Sequence, residues 1–410
     1  MYALPGIGHA CGHNLIAIAS ISAALATKHI MEKYDIPGKV VLFGTPAEEG
    51  TSDFVDSIGC SKLGRATEAA ITPSISQHNN RTLWNCRDVQ GRKAQSKSRP
   101  IIFSHLEISQ STLSLVQAPL QFHQTLTLTH AGGGGKIALL NAGAYAKHNV
   151  DISLISHPGI TPDASLVRTS AFQAFRIEYF GLEAHAAAAP WEGINALDAL
   201  ITAYTSLSVL RQQTQSGDII QGCITQGGVK PNIIHAYASG DFVVRSTTKQ
   251  RLEVLKKRVD KCFKGAAVAT EAKLKMTLQS RYLDHVPNVP LGRGYAKHFT
   301  ALGGKLQAPE IELLTSYTQA STDQGDISHA MPSISAGFSI ESVAKDGGQG
   351  GGPHTPDFTR ASRTEKAHEK ALMVGKALAA TAIDVLTVEG YLEEIKKEFK
   401  RGREQIAEVK

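Results

Sequence analysis

Cysteine is scarce in this sequence, with five residues in a chain of 410. They are widely spaced and odd in number, which argues against a disulfide framework and favours a reducing compartment. Long apolar runs are also missing, because the most apolar N-terminal stretch, residues 15–27, is far shorter than the roughly 20 residues that span a bilayer. No basic leader precedes that stretch. We therefore expect a cytoplasmic protein without a membrane span.

A concentrated excess of positive charge is missing too. The net charge is +6, but residues 51–131 contain eight Lys or Arg against five Asp or Glu, so half of the excess lies in one stretch. This pattern is not the basic surface of a nucleic-acid-binding protein. With 42% hydrophobic and 20% charged residues, the composition is typical of a globular protein, and the length favours two or three domains.

The order of apolar segments predicts an α/β protein. Residues 14–34 form an apolar helical pattern, and the continuous run KVVLFGTP that follows is typical of a buried parallel strand. A helix (KIALLNAGAYAK) and a strand (VDISLISH) come after residue 132. We assign residues 1–50 and 132–167 to the first part of one α/β domain, and residues 286–410, with a C-terminal helix, to its second part.

A second unit is predicted for residues 168–285. Its segments follow the order strand, helix, strand, strand, helix, strand, beginning with AFRIEYFG and ending with KLKMTLQ. This βαββαβ order suits a self-sufficient two-layer α/β domain.

Residues 51–131 interrupt the pattern. They are rich in Ser, Thr and Gln, and no hydrophobic period is sustained through them. We interpret the stretch as a disordered insertion. It is also consistent with a retained intron, because Gly50 and Gly132 on its two sides would join into one glycine run.

Two short loops carry side chains suited to metal chemistry. His9, Cys11 and His13 stand at spacings of two in GHACGHN, and a thiolate with imidazoles suits zinc or a similar metal. Glu48 and Glu49 follow the apolar strand, where one could bind metal and the other act as a general base. The alternatives are an incidental His-Cys cluster and a solvated acidic turn.

Single histidines in two later segments complete the set. His157 ends an apolar strand, where ligands of α/β sheets gather, although a hydrogen-bonded core histidine is an equal alternative. His354 follows a glycine-rich loop, where a histidine without a function is the more common case. Taken together, these residues suit a hydrolytic site with two metals, in which a bridging hydroxide attacks a carbonyl and a glutamate transfers the proton.

Several longer motifs resemble peptidase family M twenty, a family of metal-dependent amidohydrolases, and are most similar to its aminoacylase-like dipeptidase branch. The motifs are ALPGIGHACGHN, GTPAEEG, AHAAAAPWEGINALDA, GGVKPNII, STD and PHTPDFT. The resemblance implies a zinc-peptidase-like catalytic α/β domain into which a lid and dimerisation domain is inserted. It also implies hydrolysis of an amide bond in dipeptides or N-acyl amino acids.

The resemblance further implies a role for each matched residue. Two Zn or Mn ions would be held by five ligands, with zinc favoured by the thiolate: Cys11, His13, Glu49, His157 and His354. Glu48 would be the general base.

In the lid, the resemblance implies that His185 polarises the scissile carbonyl or binds the substrate carboxylate, and that Asn232 and Arg245 hold the polar end of the substrate. The helix after Trp191 and its neighbouring strand would form a homodimer. The alternatives for these three residues are a surface histidine at a strand end, a turn former and a salt-bridged strand residue, respectively.

Two features depart from the family. The acid of the family form YDALPG is missing between Tyr2 and Ala3, as are the strands expected upstream, so we expect an N-terminally truncated catalytic domain. The acidic loop is interrupted at Gly50. The alternative to an active hydrolase is therefore a catalytically impaired or silent dimeric homologue.

Overall fold

The computed structural model describes residues 11–45, 100–104 and 134–408. These residues divide into two compact units. Unit 1 comprises Met1–Arg168, Val286–Tyr317 and Asp326–Lys410, and unit 2 comprises Thr169–His285 and Thr318–Gly325. The chain therefore leaves unit 1 and returns to it more than once. Each unit has its own sheet and its own core.

Unit 1 contains a parallel sheet in the order β1-β2-β3-β10. Its strands are β1 (Lys39–Phe43), β2 (Pro100–Ser104), β3 (Ile152–Gly159) and β10 (Ser333–Ser339). Its longer helices are α1 (His13–Lys33), α6 (Val289–Ala301), α10 (Glu365–Thr387) and α11 (Tyr391–Glu408). Its shorter helices are α2 (Gly135–Asn141), α3 (Ala144–Lys147), α7 (Pro309–Thr315), α8 (Gln324–Ala330), which begins at the end of unit 2, and α9 (Pro356–Ala361).

Helices cover both faces of this sheet. Leu42 belongs to the core that contains α1, α6 and α10, whereas its neighbours Val41 and Phe43 belong to the core that contains α2 and α3. Successive strand residues point to opposite faces. The predicted α/β class is therefore confirmed for unit 1, and the continuous apolar run of β1 reflects burial on both sides.

Helix α1 has the length and composition of a membrane span. Two helices joined by a bend, Glu365–Thr387 and Tyr391–Glu404, also have the length and composition of a membrane span when they are taken together. In the structure the side chains of Leu15, Ala19 and Ala23 lie in the core of unit 1. A buried core helix of a globular domain has these same features.

The predicted absence of regular structure in residues 51–131 is wrong for Pro100–Ser104. This segment forms β2, which pairs with β1 on one side and β3 on the other. A strand in the middle of a parallel sheet needs only a short apolar run, and PIIFS provides one. The polar composition of the long stretch obscures this run of five residues in the sequence. The rest of 51–131 lies outside the described residues.

Unit 2 is built on an antiparallel sheet in the order β6-β8-β4-β9. Its strands are β4 (Ala171–Phe180), β6 (Ile219–Gln226), β8 (Tyr237–Ser246) and β9 (Lys273–Tyr282), with a small ladder of β5 (Ala184–His185) and β7 (Ile233–Ile234) beside them. The core of unit 2 also contains α4 (Ala196–Leu210) and α5 (Lys249–Thr270). The predicted βαββαβ order is the order observed.

The boundary predicted for this unit, 168–285, omits one segment. Thr318–Gly325 also belongs to unit 2, because the Ser170 amide donates to the Ala320 carbonyl at 2.9 Å and Arg245 donates to Ser321 at 2.8 Å. Contacts between segments that are distant in sequence cannot be read from hydrophobic period. The STD motif, Ser321–Asp323, lies in this segment.

Candidate metal centre and substrate-binding residues

Three of the predicted metal ligands converge in unit 1. One ligand atom from each of Cys11, His13 and His157 lies within 4.8 Å of the others. The Cys11 Sγ atom is 3.4 Å from His157 Nε2, and the His13 and His157 rings lie edge to face with centroids 6.0 Å apart. Cys11 and His13 are buried and His157 is half-buried. Among the residues that the structure describes, this is the one such group of donors.

The two chain segments of this cluster meet because each is fixed by a regular element. His157 lies near the end of β3, and His13 is the first residue of α1. Cys11 precedes Gly12, which caps the helix with a left-handed φ of 80°. Since a helix N-terminus favours negative charge, this position suits a thiolate.

Gly12 allows the close approach of the loop to the strand. A Cβ atom at this position would lie 2.7 Å from Pro158 Cγ and 3.2 Å from Phe358 Cε1. Gly12 has a left-handed backbone conformation, which glycine adopts without steric cost. Its positive φ and its missing side chain are both required to bring Cys11 next to His157.

The backbone sets the tautomer of His157. Its Nδ1 lies 2.7 Å from the Pro158 carbonyl oxygen, and because a carbonyl oxygen only accepts, Nδ1 carries the proton. In neutral imidazole the lone pair is then on Nε2, the atom that faces Cys11. A histidine ligand whose other nitrogen donates to a carbonyl is the usual arrangement at protein metal sites. The donors therefore fit a thiophilic divalent cation such as zinc.

Of the remaining predicted ligands, the structure describes only His354, which is not in this group. His354 is exposed and has a φ of 72°, in the loop before α9. The side chain of Phe358 in α9 faces Gly12, so this loop leads into a helix next to the cluster. His9, Glu48 and Glu49 lie outside the described residues, and their assignments stay predictions.

The three predicted substrate residues are in unit 2. His185, in β5, and Asn232, immediately before β7, are exposed, and the Ala186 amide donates to the Asn232 carbonyl at 3.1 Å. The pairing of β5 with β7 thus brings two motifs that are distant in sequence to one place. Arg245, in β8, is half-buried.

The backbone also sets the tautomer of His185. Its Nδ1 accepts hydrogen bonds from the amides of Ala187, at 3.2 Å, and Ala188, at 3.1 Å. Neutral His185 therefore carries its proton on Nε2, and its exposed edge is a hydrogen-bond donor. Such a donor can stabilise a carbonyl oxygen that gains negative charge.

Comparisons with known proteins agree with these observations. Residues 169–271 match the family model described as a peptidase dimerisation domain. The chain is 31% identical over 401 residues to a Xaa-Arg dipeptidase of Mus musculus, covering 97% of this chain and 71% of the relative. The chain belongs to peptidase family M twenty. The family predicted from the motifs is thereby confirmed, and with it an enzyme of the metal-dependent amidohydrolase class.

Two further comparisons give more distant similarities. One component of the p-aminobenzoyl-glutamate hydrolase of Escherichia coli is 22% identical over 448 residues, covering 96% of this chain and 74% of the relative. Among solved structures, a dinuclear metal-binding peptidase of Bacillus subtilis aligns with a TM-score of 0.42 and 14% identity, over 60% of this chain and 61% of the other.

Proposed function

We propose that this member of family M twenty hydrolyses an amide bond in dipeptides or N-acyl amino acids with the help of two divalent metal ions. The convergence of Cys11, His13 and His157 carries the proposal. The curated relatives at 31% identity are Xaa-Arg dipeptidases. A dipeptide with a C-terminal arginine is accordingly the first substrate to test.

Cys11, His13 and His157 would hold metal, together with Glu49 and His354 as the family resemblance implies. When bound, the cations would polarise the scissile carbonyl and activate the attacking water. The Pro158 carbonyl keeps the proton of His157 on Nδ1, so that Nε2 is available for coordination. Zinc is favoured over manganese because a thiolate is a soft ligand.

The chain's own residues divide the remaining tasks. Glu48 would take a proton from water and deliver it to the leaving amine. His185 would donate from Nε2 to the carbonyl oxygen as negative charge develops there. Asn232 and Arg245 would hold the carboxylate end of the substrate, because a guanidinium fork matches a carboxylate.

A homodimer through unit 2 is the second part of the proposal. The edge strand β9 carries Lys273, Lys275 and Arg281, whereas β6, at the other edge, has no charged residue. Charged side chains protect an edge strand from pairing, so β6 is the edge open to a second copy. The adjoining helix α4 exposes Ile201 and Val209.

Matched variants test this interface. Ile224 on β6 and Leu278 on β9 are exposed apolar side chains on the two edges. We expect Ile224→Lys to shift the mass measured by light scattering from dimer to monomer, and Leu278→Lys to leave it unchanged. A wild-type monomer, or equal effects of the two variants, would contradict the proposed interface.

The catalytic proposal is tested by metal analysis followed by turnover. Purified protein should contain about two Zn or Mn ions per chain, and it should cleave a panel of dipeptides and N-acyl amino acids, with Xaa-Arg dipeptides preferred. Glu48→Gln should retain the metal and lose turnover. Protein that binds metal but cleaves none of these substrates would instead be the catalytically silent dimeric homologue.

A cytoplasmic location is a separate part of the proposal. Fractionation of cells that express the protein tests it.

A further inference from the structure

Arg245 lies in a row of side chains that crosses the sheet of unit 2. Within the antiparallel ladders, Arg245 on β8 pairs with Phe172 on β4, and Phe172 pairs with Tyr282 on β9. Residues paired directly across such ladders point to the same face of the sheet. The register of the sheet therefore places an arginine and two aromatic rings side by side.

The aromatic rings support the guanidinium group. The Arg245 Cζ atom lies 5.1 Å from the centroid of the Phe172 ring, and the Phe172 and Tyr282 centroids are also 5.1 Å apart. Tyr282 is only 6% exposed, so the ring that packs against Phe172 is itself buried. A guanidinium group at this distance from a ring face is stabilised by a cation–π interaction.

A second segment fixes the group from another direction. Arg245 Nη1 donates to the Ser321 hydroxyl at 2.8 Å and, more weakly, to the Gln319 carbonyl at 3.4 Å. Ser321 belongs to the STD motif, whose sequence alone assigns it no role. Its hydroxyl thus accepts a hydrogen bond from this arginine.

We propose that Ser321 and Phe172 are positioning residues that orient the Arg245 guanidinium group to bind a substrate carboxylate. They thereby determine the preference for substrates with a free carboxyl terminus. The inference rests on the proposed function of Arg245 and deepens it. A long side chain loses rotational freedom when it binds a ligand, and an arginine already held by a ring and a hydroxyl loses less. Planar, bidentate recognition of a carboxylate depends on that fixed orientation.

The test compares a dipeptide with the same dipeptide amidated at its C-terminus. For the wild type we expect kcat/KM to favour the free carboxylate. Ser321→Ala should reduce that preference about tenfold, through KM and with kcat changed less than about twofold. Ser321→Thr, which keeps the hydroxyl, should restore the preference.

Further variants separate positioning from structural support. Phe172→Leu keeps an apolar side chain of similar size but removes the ring face, and should reduce the same preference. Thr277→Val removes an exposed hydroxyl from β9 and should not change it. If Ser321→Ala lowers kcat and raises KM equally for both substrates, or leaves their ratio unchanged, the positioning role is wrong.

A binding measurement keeps this inference separate from the proposed function. A dipeptide analogue whose amide is replaced by a methyleneamine cannot be cleaved, and its affinity can be measured by calorimetry against the C-terminal amide of the same analogue. If the wild type cleaves no substrate yet binds the free carboxylate better, and Ser321→Ala loses that difference, the positioning role stands while hydrolysis fails. Equal binding of the two analogues by the wild type would overturn the role of Arg245 and Ser321 together.

Discussion

The two units hold their candidate functional residues in opposite ways. In unit 1, Cys11, His13 and His157 come from segments distant in sequence and are removed from most solvent. In unit 2, His185 is exposed and its imidazole is oriented by amides two and three residues further along the chain. A buried cluster depends on the packing of the whole unit, whereas a turn depends mainly on its own backbone. Substitutions in the two units should therefore differ in what they disturb.

The largest effect is expected from removing a ligand of the buried cluster. His157→Ala should lower the metal content by about one ion per chain and reduce turnover by more than about 100-fold, the upper range for loss of an outer partner of a metal site. Mass spectrometry of the bound metal and a dipeptidase assay measure the two effects. His29→Ala, at an exposed position of α1, is the control. Full metal content in His157→Ala would refute the metal centre.

The second prediction distinguishes a role of unit 2 in catalysis from a role in metal binding. His185→Ala should reduce kcat about 100-fold, because it removes one donor to the developing oxyanion, and should leave the metal content unchanged. His185→Gln offers an amide donor and should recover part of kcat. A variant that loses metal in proportion to activity would show that His185 acts on the metal centre instead.

The third effect concerns the stability of unit 2 alone. Burial by itself would raise the pKa of Asp218, but hydrogen bonds from Arg251, Ser246 and the Gln215 amide outweigh it, and the pKa is lowered. The Arg251 Nη2 atom is 2.5 Å from the carboxylate, whose side chain is 0% exposed. Asp218→Asn should lower the free energy of unfolding by about 2 kcal/mol. This is less than the cost of breaking an ion pair in which both side chains are fully buried.

This ion pair also gives a pH dependence with a defined sign. Because the folded-state pKa of Asp218 is lowered, its stabilisation is complete above the ordinary aspartate pKa of about 3.9 and is lost as the pH falls towards the folded-state value. Asp218→Asn should remove that acid-side slope in denaturant titrations. The Lys275 ammonium group pairs with Glu178, but the Lys275 side chain is 62% exposed. Lys275→Ala should therefore lower the free energy of unfolding by less than about 1 kcal/mol. If Asp218→Asn and Lys275→Ala lower the free energy of unfolding equally, burial does not strengthen the Asp218–Arg251 ion pair.

The smallest difference between matched variants is expected for two glycines of similar conformation in unit 1. Gly12 has a φ of 80° and Gly143 a φ of 75°, but a Cβ atom at Gly143 would meet nothing within 4 Å. Both alanine variants should lose roughly 1 kcal/mol from left-handed strain. Gly12→Ala should lose about 1 kcal/mol more, from the clash with Pro158, and should weaken metal binding. Thermal unfolding and metal titration of the pair measure the difference, and equal losses would show that the clash relaxes freely.

Much of this architecture could be predicted from sequence because its signals are local. The apolar run of β1, the apolar helix α1 and the βαββαβ order of unit 2 each follow from hydrophobic patterns within one segment. The strand β2 could not be predicted in this way, because its run of five residues is short and lies in polar surroundings. The assignment of Thr318–Gly325 to unit 2 could not be predicted either, because it depends on hydrogen bonds to residues far away in the chain.

The sequence by itself determined the kinds of donor available, namely a thiol, imidazoles and carboxylates, and the family to which they belong. Only the tertiary structure decided that Cys11 faces Nε2 of His157, that carbonyl and amide groups set the tautomers of His157 and His185, and that Ser321 holds Arg245. Residue type limits what a side chain can donate or accept. Which atom it presents depends on backbone groups that are brought next to it only when the chain folds.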